Sequence, residues 1–237
     1  MKNLISRVLE ESAYEQNPYF VALRDGTFEK EDFVETQVQF YSAVVFFGRP
    51  MAIVVAKIPH HHQRIEVLRN VWEEHGTGGE DLPHGDSFLE FLKRLDGVTY
   101  EDVQVRTLWP EIRLFNTALI GCCTMDEYIV GVGMMGIIER MFSDISGWIG
   151  QAVVDRGWVA QEDLIHYDLH SELDIKHADD FFDVLEPTWE SGDEDDRYFI
   201  EQGLRLGAHT FSSLYEQLYD NRKRRWIREA TCSHVRT

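Results

Sequence analysis

The chain has 237 residues, 43% of them hydrophobic, which is enough for one large domain that folds without disulfides or structural zinc. Asp and Glu total 42 against 23 Lys and Arg, and the net charge of −19 argues against nucleic acid and anionic membrane surfaces as partners. No run approaches about 18 consecutive apolar residues and the N-terminus lacks a cleavable signal pattern. The three cysteines, Cys122, Cys123 and Cys232, suit a reducing, cytoplasmic compartment and not a disulfide framework.

The elements read as helices throughout. A first short helix covers 2–12 and is broken by Asn17-Pro18, and Asp25-Gly26-Thr27 forms a turn with Thr27 as a candidate N-cap. From about 29 to 57 the residues Phe33, Val34, Val38, Tyr41, Val44 and Val45 recur at helical spacing, with Pro50 inside the run as an expected kink. Further helices are predicted at 63–75, stopped by Gly76-Thr77-Gly78-Gly79, at 84–96, and at 108–120 with Pro110 in the first turn. A long apolar helix spans 125–155, another runs from 161 to 185 and ends at Pro187, and a last one covers 196–225. No strand alternation, internal repeat or low-complexity linker interrupts this pattern. The expectation is a single all-α domain of seven to eight helices over 1–225, followed by a loose basic tail at 226–237.

The most informative segment is Asp168–His177. His170, Asp174 and His177 stand at i, i+4 and i+7, on one face of a helix shared with Leu173 and Phe181. Three ionisable groups turned inward are costly unless paired, and a metal satisfies all three, with Fe, Mn or Zn suited to mixed imidazole and carboxylate ligands. The competing reading is a solvated polar stripe, since Glu172, Lys176 and Asp180 surround them. Glu139 lies in an otherwise apolar run, where a lone carboxylate needs a partner, a metal or Arg140. In Asn70-Val71-Trp72-Glu73-Glu74-His75, Glu74 closes one helix and His84 opens the next; periodicity does not separate Glu74 from Glu73 or His75. His166, one turn before His170, is either a supporting or substrate-contacting group or polar surface. His60-His61-His62 reads as a solvated turn, and Cys122-Cys123 reads as core packing. Arg49, inside an apolar helix, is a candidate anchor for a substrate carboxylate, or part of an internal salt bridge. Tyr41 is a candidate proton or electron donor, or core.

The ordered set Glu, His, Glu, then H-x3-D-x2-H, on a helical chain of this length, resembles the haem-oxygenase-like diiron oxidases, a superfamily with which the chlamydial death-domain-associating protein is also similar. The likeness covers roughly 28–215. It includes Asn70 four residues before Glu74, Ala178 after His177, and the stretch Gln37–Tyr41 through Phe47-Gly48-Arg49-Pro50-Met51-Ala52, which looks like the second helix of "iron-containing redox enzyme" members. Counting from Asn70 then selects Glu74. The resemblance implies a metal set of Glu74, His84, Glu139, His170, Asp174 and His177 holding two iron ions, with O2 as co-substrate and an external reductant or electron donor. It implies oxidation of a small-molecule substrate, an amino acid or fatty acid, by desaturation, N-oxygenation or C–C cleavage. The run of helical segments with short loops is expected to give a monomer or homodimer. The alternatives are a thiaminase-II-like hydrolase on the same fold, which would need Cys122 or Cys123 as nucleophile, and a non-catalytic binding protein. Haem ligation of the haem-oxygenase kind is not expected, because no histidine precedes His60.

Overall fold

Short connections between amphipathic segments leave each helix only its neighbours to bury against. The computed structural model describes residues 1–79 and 82–228, with the side chains of 169, 171 and 172 outside the description. Among the described residues there are ten α-helices: α1 (Lys2–Ser12), α2 (Pro18–Asp25), α3 (Lys30–Lys57), α4 (His61–Glu74), α5 (His84–Asp96), α6 (Tyr100–Val105), α7 (Pro110–Met125), α8 (Tyr128–Asp155), α9 (His166–Ser191) and α10 (Glu194–Asp220). They form the single all-α domain that the periodicity predicts.

The two helices beyond the expected eight are short ones that local capping builds. Asn17 accepts from the Tyr19 N–H and Pro18 opens α2, which Gly26 closes at a positive φ of 83°. Thr99 and Asp102 form a reciprocal capping box at the start of α6. Neither helix is long enough to display a clear periodicity. Pro187 does not end α9, which runs on to Ser191, and residues 161–163 form a separate 3₁₀ turn before it. The tail is ordered further than expected. Trp226 O accepts from the Thr107 N–H at 2.8 Å and the Arg228 N–H donates to Val105 O at 2.7 Å, so 226–228 lie beside 105–107. Residues 229–237, with Cys232, lie outside the described residues.

Helix α8 is the axis of the core, with Met134, Met135, Ile137 and Met141 fully buried. Its glycines set how near its neighbours come. An ideal Cβ on Gly136 would stand 2.8 Å from Phe181 Cβ on α9, and one on Gly203 of α10 would stand 2.3 Å from Val130 O on α8. Helix α3 is long and apolar enough to cross a membrane by length and composition. In the fold it is an internal helix whose buried polar groups are paired. Glu35 meets Arg106 at 3.0 Å, Gln37 donates to Tyr19 Oη at 2.7 Å, and Gln39 accepts from the Trp109 N–H at 2.9 Å.

Candidate metal centre

Four helices deliver the predicted ligands to one place. Glu74 comes from the last turn of α4, His84 from the first turn of α5, Glu139 from the middle of α8, and His170, Asp174 and His177 from α9. All six side chains are buried, at 7% exposure or less. Gly48 of α3 faces the end of α4, where an ideal Cβ would lie 3.1 Å from the exposed His75 ring and in ordinary contact, 3.5 Å, with Glu74 Cβ. Asn70, fully buried, reaches across to α9 once its amide is oriented to satisfy both its atoms, donating to Asp180 Oδ2 at 3.0 Å.

The six residues form a connected cluster. Glu74, Glu139 and His177 each offer one ligand atom within 4.8 Å of the others. His84 Nδ1 lies 2.8 Å from Glu74 Oε1, and His170 Nδ1 lies 2.8 Å from Asp174 Oδ1. His177 Nδ1 lies 3.9 Å from Glu139 Oε1 and 3.8 Å from Asp174 Oδ1. The rings of His84 and His170 meet edge to face at 4.4 Å between centroids. Arg140 takes no part: it pairs with Asp144 at 2.8 Å, leaving Glu139 to the cluster.

A cation fits this set by the chemistry of what is left over. Glu139 Oε1, Asp174 Oδ2, His170 Nε2 and His177 Nδ1 are buried and lack a hydrogen-bond partner. His170 spends its one neutral-state N–H on Asp174, and His177 spends its own on Glu73, at 2.6 Å from Nε2. The unpaired atoms are therefore all acceptors and cannot satisfy one another. Leaving such groups buried costs on the order of 1–3 kcal/mol each, and more for the charged ones. Metal cations, or protons, are what remove that cost. Without a metal the protons do part of it. Burial, with the Asp174 and Glu74 carboxylates beside it, holds Glu139 well above the usual carboxylate range. Burial also disfavours the charged forms of Glu74 and His84, but their mutual attraction outweighs it, so Glu74 falls below and His84 rises above its ordinary value.

Glu73 is the residue that the sequence pattern left open beside Glu74. The two point to different tasks, Glu74 inward to His84 and Glu73 to the far nitrogen of His177, where it fixes that ring with Nδ1 facing the cluster. Two adjacent carboxylates at a helix end were the only signal for it. His75 is exposed, with Nδ1 on the Val71 carbonyl at 2.7 Å.

A small cavity of about 40 Å³ adjoins the cluster. Glu74, His84, Glu139, His166 and His170 form its polar end, and Phe40, Val44, Phe47, Phe115, Phe142 and Phe211 are among its apolar walls. Arg49 is not brought to it: the side chain is exposed and its guanidinium lies over Phe46, 5.3 Å from the ring centroid. Tyr41 also lies outside the cavity lining, half-buried beside Phe88 on the α5 side. His60, His61 and His62 are exposed, as expected, but His61 and His62 belong to the first turn of α4 and not to a loop; the His62 ring stacks on His60 and stands edge-on to His61. Cys122 and Cys123 are buried on α7 and neither lines the cavity; burial pushes the Cys122 thiol up to about 12.

Solved structures share this architecture. A TenA homologue from Pseudomonas syringae pv. tomato matches with a TM-score of 0.73 and 16% identity, over 92% of this chain and 90% of its own. A CADD-like protein of unknown function from Nostoc punctiforme gives 0.72 and 15%, over 93% and 97%. A domain of unknown function with a heme oxygenase-like fold from Shewanella denitrificans gives 0.70 and 12%, over 93% and 90%. At these identities the likeness carries the fold alone, and the fold is haem-oxygenase-like. No curated protein matches the chain in sequence. Residues 34–220 do match the profile of a family described as "Iron-containing redox enzyme", and that span includes all six clustered side chains. The chain belongs to the iron-containing redox enzyme family.

Proposed function

We propose that this chain is a non-haem diiron oxidase or oxygenase that uses O2 and an external electron donor to oxidise a small carboxylate-bearing substrate. The substrate would be an amino acid or a fatty acid, and the outcome desaturation, N-oxygenation or C–C cleavage. The observation that carries this reading is the set of unpaired buried acceptors on Glu139, Asp174, His170 and His177, drawn from two helices and facing Glu74 and His84 from two more. Three imidazoles and three carboxylates suit iron in its divalent and trivalent states. Bound there, two ferrous ions would supply the electrons that reduce O2 and the oxidising power that acts on the substrate.

The chain's own groups do the rest. Glu73 holds the His177 ring, and the Asp174 carboxylate holds that of His170, so each presents one nitrogen without rotating. The phenylalanine walls exclude water from the reacting end of the cavity and receive an apolar part of the substrate. Among the described residues that line the cavity there is no lysine or arginine. A substrate carboxylate would instead be drawn by the charge of the centre itself, since three carboxylates against two divalent ions leave one positive charge. The hydrolase reading, which needs a cysteine nucleophile, finds neither Cys122 nor Cys123 at the site.

The test is anaerobic loading of the purified chain with Fe(II), followed by O2 and a panel of amino acids and fatty acids, with O2 uptake recorded. O2 uptake that requires Fe(II), accelerates with one substrate class and vanishes in His177→Ala supports the proposal. Uptake no faster than that of free Fe(II) with every substrate would overturn it.

A further inference from the structure

His166 is a metal-type donor in the cavity, beyond the six clustered residues, that neither their pattern nor the proposed chemistry uses. It is fully buried, opens α9 one turn before His170, and lines the same cavity. Its ring stands 4.2 Å from that of His170 and 6.4 Å from that of His84, centroid to centroid.

The tautomer follows from Ser87, also buried, on α5. Ser87 Oγ lies 3.0 Å from the His84 carbonyl, to which it donates, and 2.9 Å from His166 Nδ1. A hydroxyl has one proton, and we assign it to that carbonyl, the Ser87 bond to His166 Nδ1 being open to either direction by distance alone. The serine oxygen is therefore the acceptor for His166 Nδ1–H. A neutral imidazole with its proton on Nδ1 has a lone pair on Nε2, and His166 Nε2 is buried with no partner. The neighbouring His170 is set the same way by Asp174, with its own Nε2 unpaired. Two lone pairs facing one cavity from adjacent rings cannot bond each other. A structural histidine in an apolar core has both nitrogens satisfied; this one has one nitrogen anchored and the other left bare.

We infer that His166 is a further metal-binding residue, joining through Nε2 the centre formed by Glu74, His84, Glu139, His170, Asp174 and His177, with Ser87 as the positioning residue that fixes its tautomer. The inference rests on the reading of that centre as a metal site. Water donating to both lone pairs is the alternative occupant, and it leaves His166 unmetallated.

The experiment follows histidine ring nitrogens by NMR in the full chain carrying isotope-labelled histidine, without metal and loaded with diamagnetic Zn(II), with His166→Phe used to assign the His166 signals. The expected result has His166 Nε2 unprotonated in the metal-free chain and shifted to a metal-bound position on loading, alongside nitrogens of His84, His170 and His177. Competition with a chelator should then show His166→Phe binding Zn(II) at least tenfold more weakly, and Ser87→Ala weakened to a lesser degree. If the other three histidines respond and His166 Nε2 does not, the inference fails while the metal centre stands. If none of the four responds, the centre itself fails. A metal-free His166 found with its proton on Nε2 also overturns the inference. Where His166→Phe does not fold, His166→Gln assigns the signals in its place, and the wild-type spectra then decide these outcomes.

Discussion

Gly136 links the packing of the bundle to the geometry of the centre. It lies on α8 one turn before Glu139, and its ideal Cβ would stand 2.8 Å from Phe181 Cβ and 2.9 Å from Phe182 Cε1 on α9. That is about 0.6 Å inside ordinary contact, and Phe181 Cβ is tied to the backbone, so an alanine must push the two helices apart. The overpacking should cost about 1–3 kcal/mol. Alanine also gains about 1 kcal/mol of helix propensity over glycine, which hides part of the loss. Gly147 removes that ambiguity. It sits on the same helix, exposed, with nothing within 4 Å of its ideal Cβ, so Gly147→Ala should stabilise the fold by the propensity gain alone. The gap between the two variants isolates the clash at about 1–3 kcal/mol, or roughly 2–12 °C in Tm for a chain of this size. The assay is urea unfolding of the metal-free variants with equal m-values. A separation of a few tenths of an ångström between α8 and α9 also approaches the roughly 0.5 Å tolerance of a preorganised site. Metal affinity should accordingly fall in Gly136→Ala and hold in Gly147→Ala. Equal stabilisation by both substitutions would refute the tight α8–α9 contact and the link to the centre.

Other expectations are independent of that contact. Glu73→Ala releases the His177 ring and should weaken metal binding by roughly 10- to 100-fold, with Glu73→Gln weaker in effect because its amide oxygen still accepts from Nε2; chelator competition measures both. Metal loading should release protons near pH 7. In the metal-free centre burial and two carboxylate neighbours raise Glu139 well above the usual carboxylate range, and Glu74 raises His84 above the ordinary imidazole range, so both hold their protons to higher pH than free groups do. Metal competes with those protons, so affinity should fall as pH falls and rise as pH rises through the elevated values. Calorimetry with Mn(II) in buffers of different ionisation enthalpy counts the protons, and zero net release would contradict the assignment. Cys122→Ser and Cys123→Ser should leave metal content and O2 uptake unchanged, whereas loss of turnover in either would favour the hydrolase reading.

The clustering of these side chains was largely readable because helical spacing is itself a geometric statement. His170, Asp174 and His177 at i, i+4 and i+7 share a face in any α-helix, and Glu139 in an apolar run has nowhere dry to go without a partner. The choice between Glu73 and Glu74 was different in kind. Neighbours on a helix point about 100° apart, and only the rotation of α4 against α5 and α9 sends one carboxylate to His84 and the other to His177. Arg49 was misjudged for a related reason. Its apolar neighbours announce a buried helix without saying which side meets solvent, and α3 turns that residue outward. Helices α2 and α6 fell below the length at which periodicity is visible, and end signals alone marked them, Asn17-Pro18 and Gly26 for α2 and Thr99 with Asp102 for α6. The continuation of α9 through Pro187 and the pairing of 226–228 with 105–107 depend on partners distant in the chain.

The most direct measurement of the central claim is an anaerobic Fe(II) titration of the metal-free protein, read as equivalents bound per chain. The account predicts two equivalents, falling in Glu139→Ala, His170→Ala, Asp174→Ala and His177→Ala and unchanged when His60, His61 or His62 is replaced. Binding of no iron, or two equivalents retained after His170, Asp174 and His177 are each replaced, would contradict it.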